Sequence, residues 1–279
     1  MVLLGLLVAA CGPEAAPPVW EEPTENRPGE PSGNPSDNPS GNSDSDLPDN
    51  PDPNPPDNPD PDPPDNPGGD SPDDLGSTGE EAAYPTDEAF LAYLLEWFDV
   101  DGDGVVSDSE AARVTRLEPS GRGVLSLEGI GRFTNLLELF ASRNAISTVD
   151  LSRNKRLQYL EINENPLTAL DVSGNRALLS LSAQNCQLKT LDLSFNTALQ
   201  ALHISKNFLE TLDVSMLLSL SSLYVSDNFL TELDLSNNLH LEEILCDGNP
   251  GLKTIWLKEE QLRIIRVFRK DPFTEIKYK

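Results

Sequence analysis

Between residues 99 and 110 the chain reads DVDGDGVVSDSE, a spacing that gathers oxygen donors around one point. Asp99, Asp101 and Asp103 bring carboxylates, Val105 a backbone carbonyl, Ser107 a hydroxyl, and Glu110 a carboxylate able to bind through both oxygens. Ca2+ takes about six to eight hard oxygens, which is the set these residues supply. Gly104 allows the sharp turn that wraps them. The stretch fits the pattern D-x-[DN]-x-[DN]-G-x5-E throughout, so Ca2+ is the expected ligand; the competing reading is an acidic surface turn that holds nothing.

Other chemistry has little to stand on. The two histidines, His203 and His240, have no nucleophile elbow, zinc-ligand spacing or phosphate loop around them, and no enzyme is expected. The net charge of −27 disfavours nucleic acid, whose phosphates need Lys and Arg. Most of that charge, −18, lies in residues 12–81, and residues 119–279 are close to neutral.

The loop must be held by what flanks it. Residues 84–118 read as helix, loop, helix: Thr86 after Pro85 is the expected N-cap, Asp87 and Glu88 favour the positive helix end, and Phe90, Leu94, Trp97 and Phe98 recur at helical spacing. This resembles one EF-hand. EF-hands come in pairs joined through loop position 8, here Val106, and no second loop follows. The resemblance therefore implies a metal-stabilised cap, with Val106 pairing near Val124–Leu127.

From Leu136 the chain repeats every 21 residues through five blocks, 136–156, 157–177, 178–198, 199–219 and 220–240. Position 1 is always Leu, and position 4 is Leu139, Leu160, Leu181, Leu202 and Leu223. Position 9 is Asn144, Asn165, Cys186, Asn207 and Asn228; a second Asn series, Asn154, Asn175, Asn196 and Asn238, breaks at Leu217, where a local irregularity is expected. One block cannot bury its own leucines, so stacking must join them into ladders. The pattern resembles the 21-residue leucine-rich repeat of bacterial surface proteins. That resemblance implies a solenoid with parallel strands on a concave face over 119–257, position-9 side chains bonding the backbone of their own and neighbouring coils, and a C-terminal cap at 258–279 that leaves the register.

The chain opens MVLLGLLVAAC, an apolar run too short to span a bilayer. Leu7-Val8-Ala9-Ala10-Cys11 resembles the bacterial lipobox, although no Lys or Arg precedes the run; the resemblance makes 1–11 a lipoprotein signal and Cys11 the lipidated residue. Residues 12–82, rich in Pro, Asp, Asn, Ser and Gly, lack aliphatic residues to bury and are expected to form an extended tether. Cys186 and Cys246 lie nearly three coils apart, about 14 Å at ~4.8 Å per coil, too far for a disulfide.

Between the inward ladder residues, positions 3 and 5 should face out across the sheet. His203, Tyr224, Phe140 and Tyr159 stand there, and Phe208 and Phe229 follow Asn at the rim. These six aromatic residues are the candidate ligand face, set against a reading in which the two Phe rings merely stack to seal the turn. Asp150, Asp171, Asp192, Asp213 and Asp234 recur at position 15, where short side chains bond nearby amides more often than ligands. The expected function is recognition of a protein or glycan by a lipid-anchored protein of the bacterial outer membrane or cell surface. The alternative is a structural envelope component or a non-catalytic subunit of a glycan-processing complex. Membrane contact is expected through the lipid anchor alone. Cys11→Ala should release the protein from the detergent-soluble membrane fraction; unchanged membrane association would refute lipidation at this residue.

Overall fold

The structure, a computed structural model, describes residues 83–279; the signal segment, Cys11 and the tether lie outside the described residues. In chain order the elements are helix α1 (Glu88–Phe98), the single turn α2 (Asp108–Ala111), and strands β1 (Arg116–Leu117), β2 (Glu138–Phe140), β3 (Tyr159–Glu161), β4 (Ser180–Ser182), β5 (Ala201–His203), β6 (Ser222–Tyr224), β7 (Glu232–Asp234), β8 (Glu243–Leu245), β9 (Thr254–Leu257), β10 (Val267–Arg269) and β11 (Glu275–Tyr278). Eight strands form one parallel sheet in the order β1-β2-β3-β4-β5-β6-β8-β10. A three-stranded sheet, β11-β9-β7, forms on the coils nearest the C-terminus.

Equal block length sets the register. Leu139 pairs with Leu160, Leu160 with Leu181, Leu181 with Leu202 and Leu202 with Leu223, so each ladder residue stacks on its own counterpart. These leucines are 2% exposed or less. Each buried Leu contributes about 1.5–3 kcal/mol.

Position 9 joins the coils twice over. The Asn207 amide donates to the carbonyls of Ala183 and Ile204 at 2.8 and 3.0 Å, while its Oδ1 accepts from Leu188 N–H at 3.0 Å. Asn165, Asn228 and Asn249 repeat the arrangement. Cys186 keeps part of it: its thiol reaches the Ile162 carbonyl at 3.5 Å, but it brings no oxygen for the amide of Leu167.

The residue just before position 9 has positive φ in five coils, at Arg143, Glu164, Asn185, Lys206 and Asp227 (51 to 59°), whether Asn or, after Asn185, Cys186 follows. In the sixth coil the position is Gly248, and a Cβ there would meet Asp227 Oδ1 at 2.3 Å. A left-handed residue with a side chain costs about 1–2 kcal/mol, which the neighbouring Asn bonds offset.

The second Asn series works by donation alone. Asn196 donates to Val172 and Asn175 carbonyls at 2.9 and 3.0 Å, and its buried Oδ1 has no partner, as at Asn154, Asn175 and Asn238. No irregularity follows at Leu217. Its amide donates to Val214 O at 3.0 Å, as Asn196 N does to Leu193 O, and its side chain is buried. Leucine forfeits two donations there but also removes an unpaired oxygen from the core, which is why the backbone passes undisturbed. Past the 21-residue register the chain still winds: Gln261 donates to Leu235 and Asn238 carbonyls in the ladder's next place, and β10 and β11 extend both sheets.

Three expectations change at the N-terminal end. The N-cap is Asp87, whose Oδ1 accepts from Phe90 N–H at 2.8 Å, while Thr86 turns to Glu128. Trp97 is exposed, and Tyr93 joins Phe90 and Leu94 on the buried face. The second helix is one turn, because the chain at Arg116–Leu117 is taken up as the first strand beside β2.

The two Asn series should respond differently to the same change. Asn207→Leu strands the Leu188 amide and should lower stability by about 1–3 kcal/mol more than Asn196→Leu. Urea melts of the two variants check this, and equal losses would contradict it.

Candidate functional site

Residues 99–110 close into a compact loop. Asp99 Oδ1 accepts from Gly102 N–H at 2.8 Å and its Oδ2 from Gly104 N–H at 3.0 Å, and Gly102 and Gly104 have φ of 72 and 84°. Asp103 Oδ1 accepts from Val105 N–H at 2.8 Å. Each of Asp99, Asp101 and Asp103 presents one oxygen within 4.8 Å of the others. Two oxygens each about 2.4 Å from one cation can stand no farther apart than this, so the three carboxylates fit a Ca2+-sized ion.

Glu110 locks the loop's two ends. Its Oε1 accepts from Val100 N–H at 2.6 Å, and its Oε2 from Ser107 N–H at 2.8 Å and Ser107 Oγ at 2.7 Å. The Ser107 hydroxyl, then the Ser107 and Val100 amides, hold the Glu110 carboxyl down to about 2.

The loop is tied to the first coil through contacts other than those the sequence led one to expect. Val106 is buried as its position implies, yet its N–H donates to the Tyr84 hydroxyl at 3.3 Å instead of pairing with Val124–Leu127. That segment is held by Asp87, whose Oδ2 accepts from Leu125 and Ser126 amides at 2.9 and 3.3 Å. The Arg132 guanidinium lies 5.0 Å above the Tyr84 ring and donates to Asp108 at 2.7 Å. Pro85 packs where a side chain on Gly129 would stand, 2.6 Å from an added Cβ. These contacts join residues some 20 to 40 positions apart, a separation no local motif announces.

On the eight-stranded sheet, positions 3 and 5 form two outward columns in the expected register. Four of the six aromatic candidates form two stacked pairs. His203 and Tyr224 lie face to face, centroids 4.1 Å apart and planes 9° from parallel, with His203 Nε2 3.1 Å from Ser222 Oγ and the Tyr224 hydroxyl donating to Glu243. Burial pushes the His203 pKa down and the Tyr224 pKa up, so both rings are neutral near pH 7. Phe208 and Phe229 stack at 6.1 Å, as the sealing reading expected, yet remain half exposed. Phe140 lies 4.5 Å beneath the Arg116 guanidinium, and Tyr159 stands exposed.

The Asp residues of position 15 form turns. Asp150, Asp171, Asp192 and Asp213 accept from the amide two residues on at 2.8–2.9 Å. Bonds from that serine, its hydroxyl first for Asp150, Asp171 and Asp213 and its amide first for Asp192, hold their carboxyls below the ordinary range. Cys186 and Cys246 are free and buried; burial raises both thiols, Cys246 to about 12.

Among solved structures, internalin C2 from Listeria monocytogenes is 20% identical with a TM-score of 0.53, over 69% of this chain and 93% of that one. The fold is the leucine-rich repeat. The functional domain of InlJ from Listeria monocytogenes (21% identity, TM-score 0.31, 68% of this chain) and a leucine-rich-repeat protein from Leptospira interrogans (18%, 0.40, 54% of this chain) align more loosely. This chain spans 61% of the InlJ domain and 46% of the Leptospira protein. No family model matches the chain, and no curated protein is significantly similar to it in sequence. Among the described residues no helix is long and apolar enough to cross a membrane.

Protonating the Asp and Glu110 carboxylates removes the acceptors that hold these turns. Their pKa values are lowered by folding, so the stability they contribute is complete above the ordinary values of 3.8 and 4.5 and is lost as pH falls through the folded ones. The melting temperature should fall steadily below about pH 4.5. Asp171→Asn with Asp192→Asn, which keeps an acceptor without a titrating charge, should flatten that fall; an unchanged acid profile would sink the assignment.

Proposed function

We propose that this chain is a bacterial cell-envelope protein, anchored by lipid at Cys11, whose leucine-rich-repeat solenoid recognises a protein and whose loop 99–110 holds one Ca2+. The observation that carries recognition is the eight-stranded parallel sheet, which sets two outward columns of side chains in register across its coils. Their inward neighbours alone serve the core, so the columns vary from Glu138 and Tyr159 to Ser180 and Ala201 without disturbing the fold. A protein ligand suits this face better than a glycan. Sugar rings stack on open aromatic faces, whereas His203 and Tyr224 cover each other and present their edges. The neighbouring hydroxyls and carboxylates of Ser222 and Glu243 offer the mixed hydrogen bonding of a protein interface.

The calcium reading rests on the convergence of Asp99, Asp101 and Asp103. Val105, Ser107 and Glu110 are the further donors the twelve-residue spacing offers, and both Glu110 oxygens here accept from Val100 and Ser107. Bound Ca2+ supplies charge neutralisation to a cluster that otherwise repels itself. The ties from Tyr84, Asp87 and Arg132 pass that stabilisation to the first coil.

Two measurements on the full-length protein test the reading. Calorimetric titration with CaCl2 should show one site, and Ca2+ at about 100 times its dissociation constant should add about 2.7 kcal/mol of stability. Glu110→Gln should weaken both effects; absence of heat and of any melting shift would remove calcium from the proposal. For recognition, a photocrosslinking residue at position 201 on the outward sheet should capture a protein adduct on cells, and one at position 190 should not. Adducts from neither position, or equally from both, would refute the sheet as the ligand face.

A further inference from the structure

Positions 18 and 20 of the repeat flank the inner ladder residue at 19 and face outward, at the corner where each coil turns toward its next strand. The Arg176 guanidinium lies 5.1 Å over the Phe195 ring, which places position 20 of one coil beside position 18 of the next. The two positions therefore form one continuous ridge. In coils 1 and 2 it carries Arg153 and Gly174 at position 18, and Lys155 and Arg176 at position 20. From coil 3 onward it is mainly apolar: Phe195 and Met216 at 18, Leu218 and Leu239 at 20, and Leu262, which follows Gln261 as Leu239 follows Asn238, with Thr197, Asn237 and Glu260 at the remaining places. The five apolar side chains are 42 to 59% exposed.

The solenoid itself supplies the control. Lys155, Arg176 and Thr197 hold position 20 in earlier coils with the same backbone bonding, so folding does not require leucine there. Five half-exposed apolar side chains along one ridge, which the fold does not need, mark an interaction surface. Its other end is cationic: Arg153, Lys155, Arg156 and Arg176 form no ion pair among the described residues, and Arg156 donates only to the neutral Asn135 amide oxygen at 2.8 Å. Asp150 and Asp171 stand three residues before Arg153 and Gly174, leaving residues 150–156 with three cations against one carboxylate.

We propose that this ridge docks a segment of a partner protein that presents apolar side chains to coils 3–6 and carboxylates to coils 1 and 2. A second copy of the chain fits poorly. Five half-exposed side chains offer on the order of a few hundred Å2, against about 800 Å2 per partner in a stable interface. Extending the contact would set one copy's cations on the other's leucines. An anionic membrane, being broad and flat, would meet the exposed carboxylates of Asp150, Asp171, Asp192 and Asp213 together with the cations. A narrow segment lying along the ridge reaches the cations without them. The chain's own tether is acidic but carries almost no aliphatic residue to fill the apolar half. The ridge is separate from the sheet columns assigned above to ligand recognition, and its assignment stands whether or not that one does.

The probe is a displayed library of random short peptides, selected on the full-length protein. Selected peptides should pair apolar residues with a neighbouring run of Asp or Glu, and should bind more weakly as salt rises. Leu218→Thr with Leu239→Thr, which installs the residue coil 3 already carries, should weaken the selected peptide at least about ten-fold while the melting temperature holds. Arg153→Glu with Arg156→Glu should do the same, and Ala201→Trp on the outward sheet should change nothing. Peptides indifferent to both double variants would overturn the proposal. So would a dimer in sedimentation velocity, or flotation with phosphatidylglycerol vesicles, that disappears in Leu218→Thr with Leu239→Thr, since either gives the ridge a different occupant.

Discussion

Everything in this chain hangs on one contact made repeatedly: a position-9 side chain that reaches across to the neighbouring coil. A single coil of 21 residues buries almost nothing by itself, and its short strand gains bonding partners only from the coils on either side. The Asn amide converts that dependence into a fixed geometry. Through Asn207 it satisfies the carbonyl of Ala183 and the amide of Leu188 in one coil while closing onto Ile204 in its own. With those groups paired, the residue before it is held in a left-handed turn that Arg143, Glu164 and Lys206 would not adopt unaided. The inner series is more permissive because it only donates, which explains how one can be replaced by Leu217 and another by Gln261 without a break in the winding.

A stack of this kind has ends, and an end exposes the core. At the N-terminal end helix α1 lays Phe90, Tyr93 and Leu94 over the first coil, and the Tyr93 hydroxyl accepts from Glu118 N–H at 2.6 Å as the chain enters β1. The acidic loop follows that helix directly, so its carboxylates stand where any ion they hold acts on the packing of the end coil. Asp87, Tyr84 and Arg132 make the connection mechanical, since each spans from the entering chain or the loop to residues of the first coil.

The same economy leaves the outer positions free. Ladder positions answer to the neighbouring coil, whereas positions 3, 5, 18 and 20 answer to solvent and can diverge. Divergence there produces the two surfaces proposed as contact sites: the stacked His203 and Tyr224 with Glu243 on the sheet, and the ridge that passes from cations to mainly apolar residues on the corner.

The sequence alone determined the solenoid, its period, its inward ladders and the outward columns, because each depends on a contact between identical positions one repeat apart. It determined the turn-forming role of the aspartates because that bond reaches only two residues along the chain. It also singled out candidate cation ligands, since those lie within twelve consecutive positions, and of them the fold gathers Asp99, Asp101 and Asp103. It did not determine the N-cap, the partner of Val106, the uninterrupted backbone at Leu217, or the left-handed residues before each Asn. Those depend on which distant groups meet: Asp87 is the cap because Leu125 and Ser126 bring their amides to its second oxygen, and Val106 meets Tyr84 because Pro85 must pass over Gly129. Whether rings present faces or edges was likewise decided by the coil spacing, which brings His203 and Tyr224 within stacking distance. Repetition makes long-range contacts legible as periodicity, and where the repeat stops only the folded chain brings the partners together.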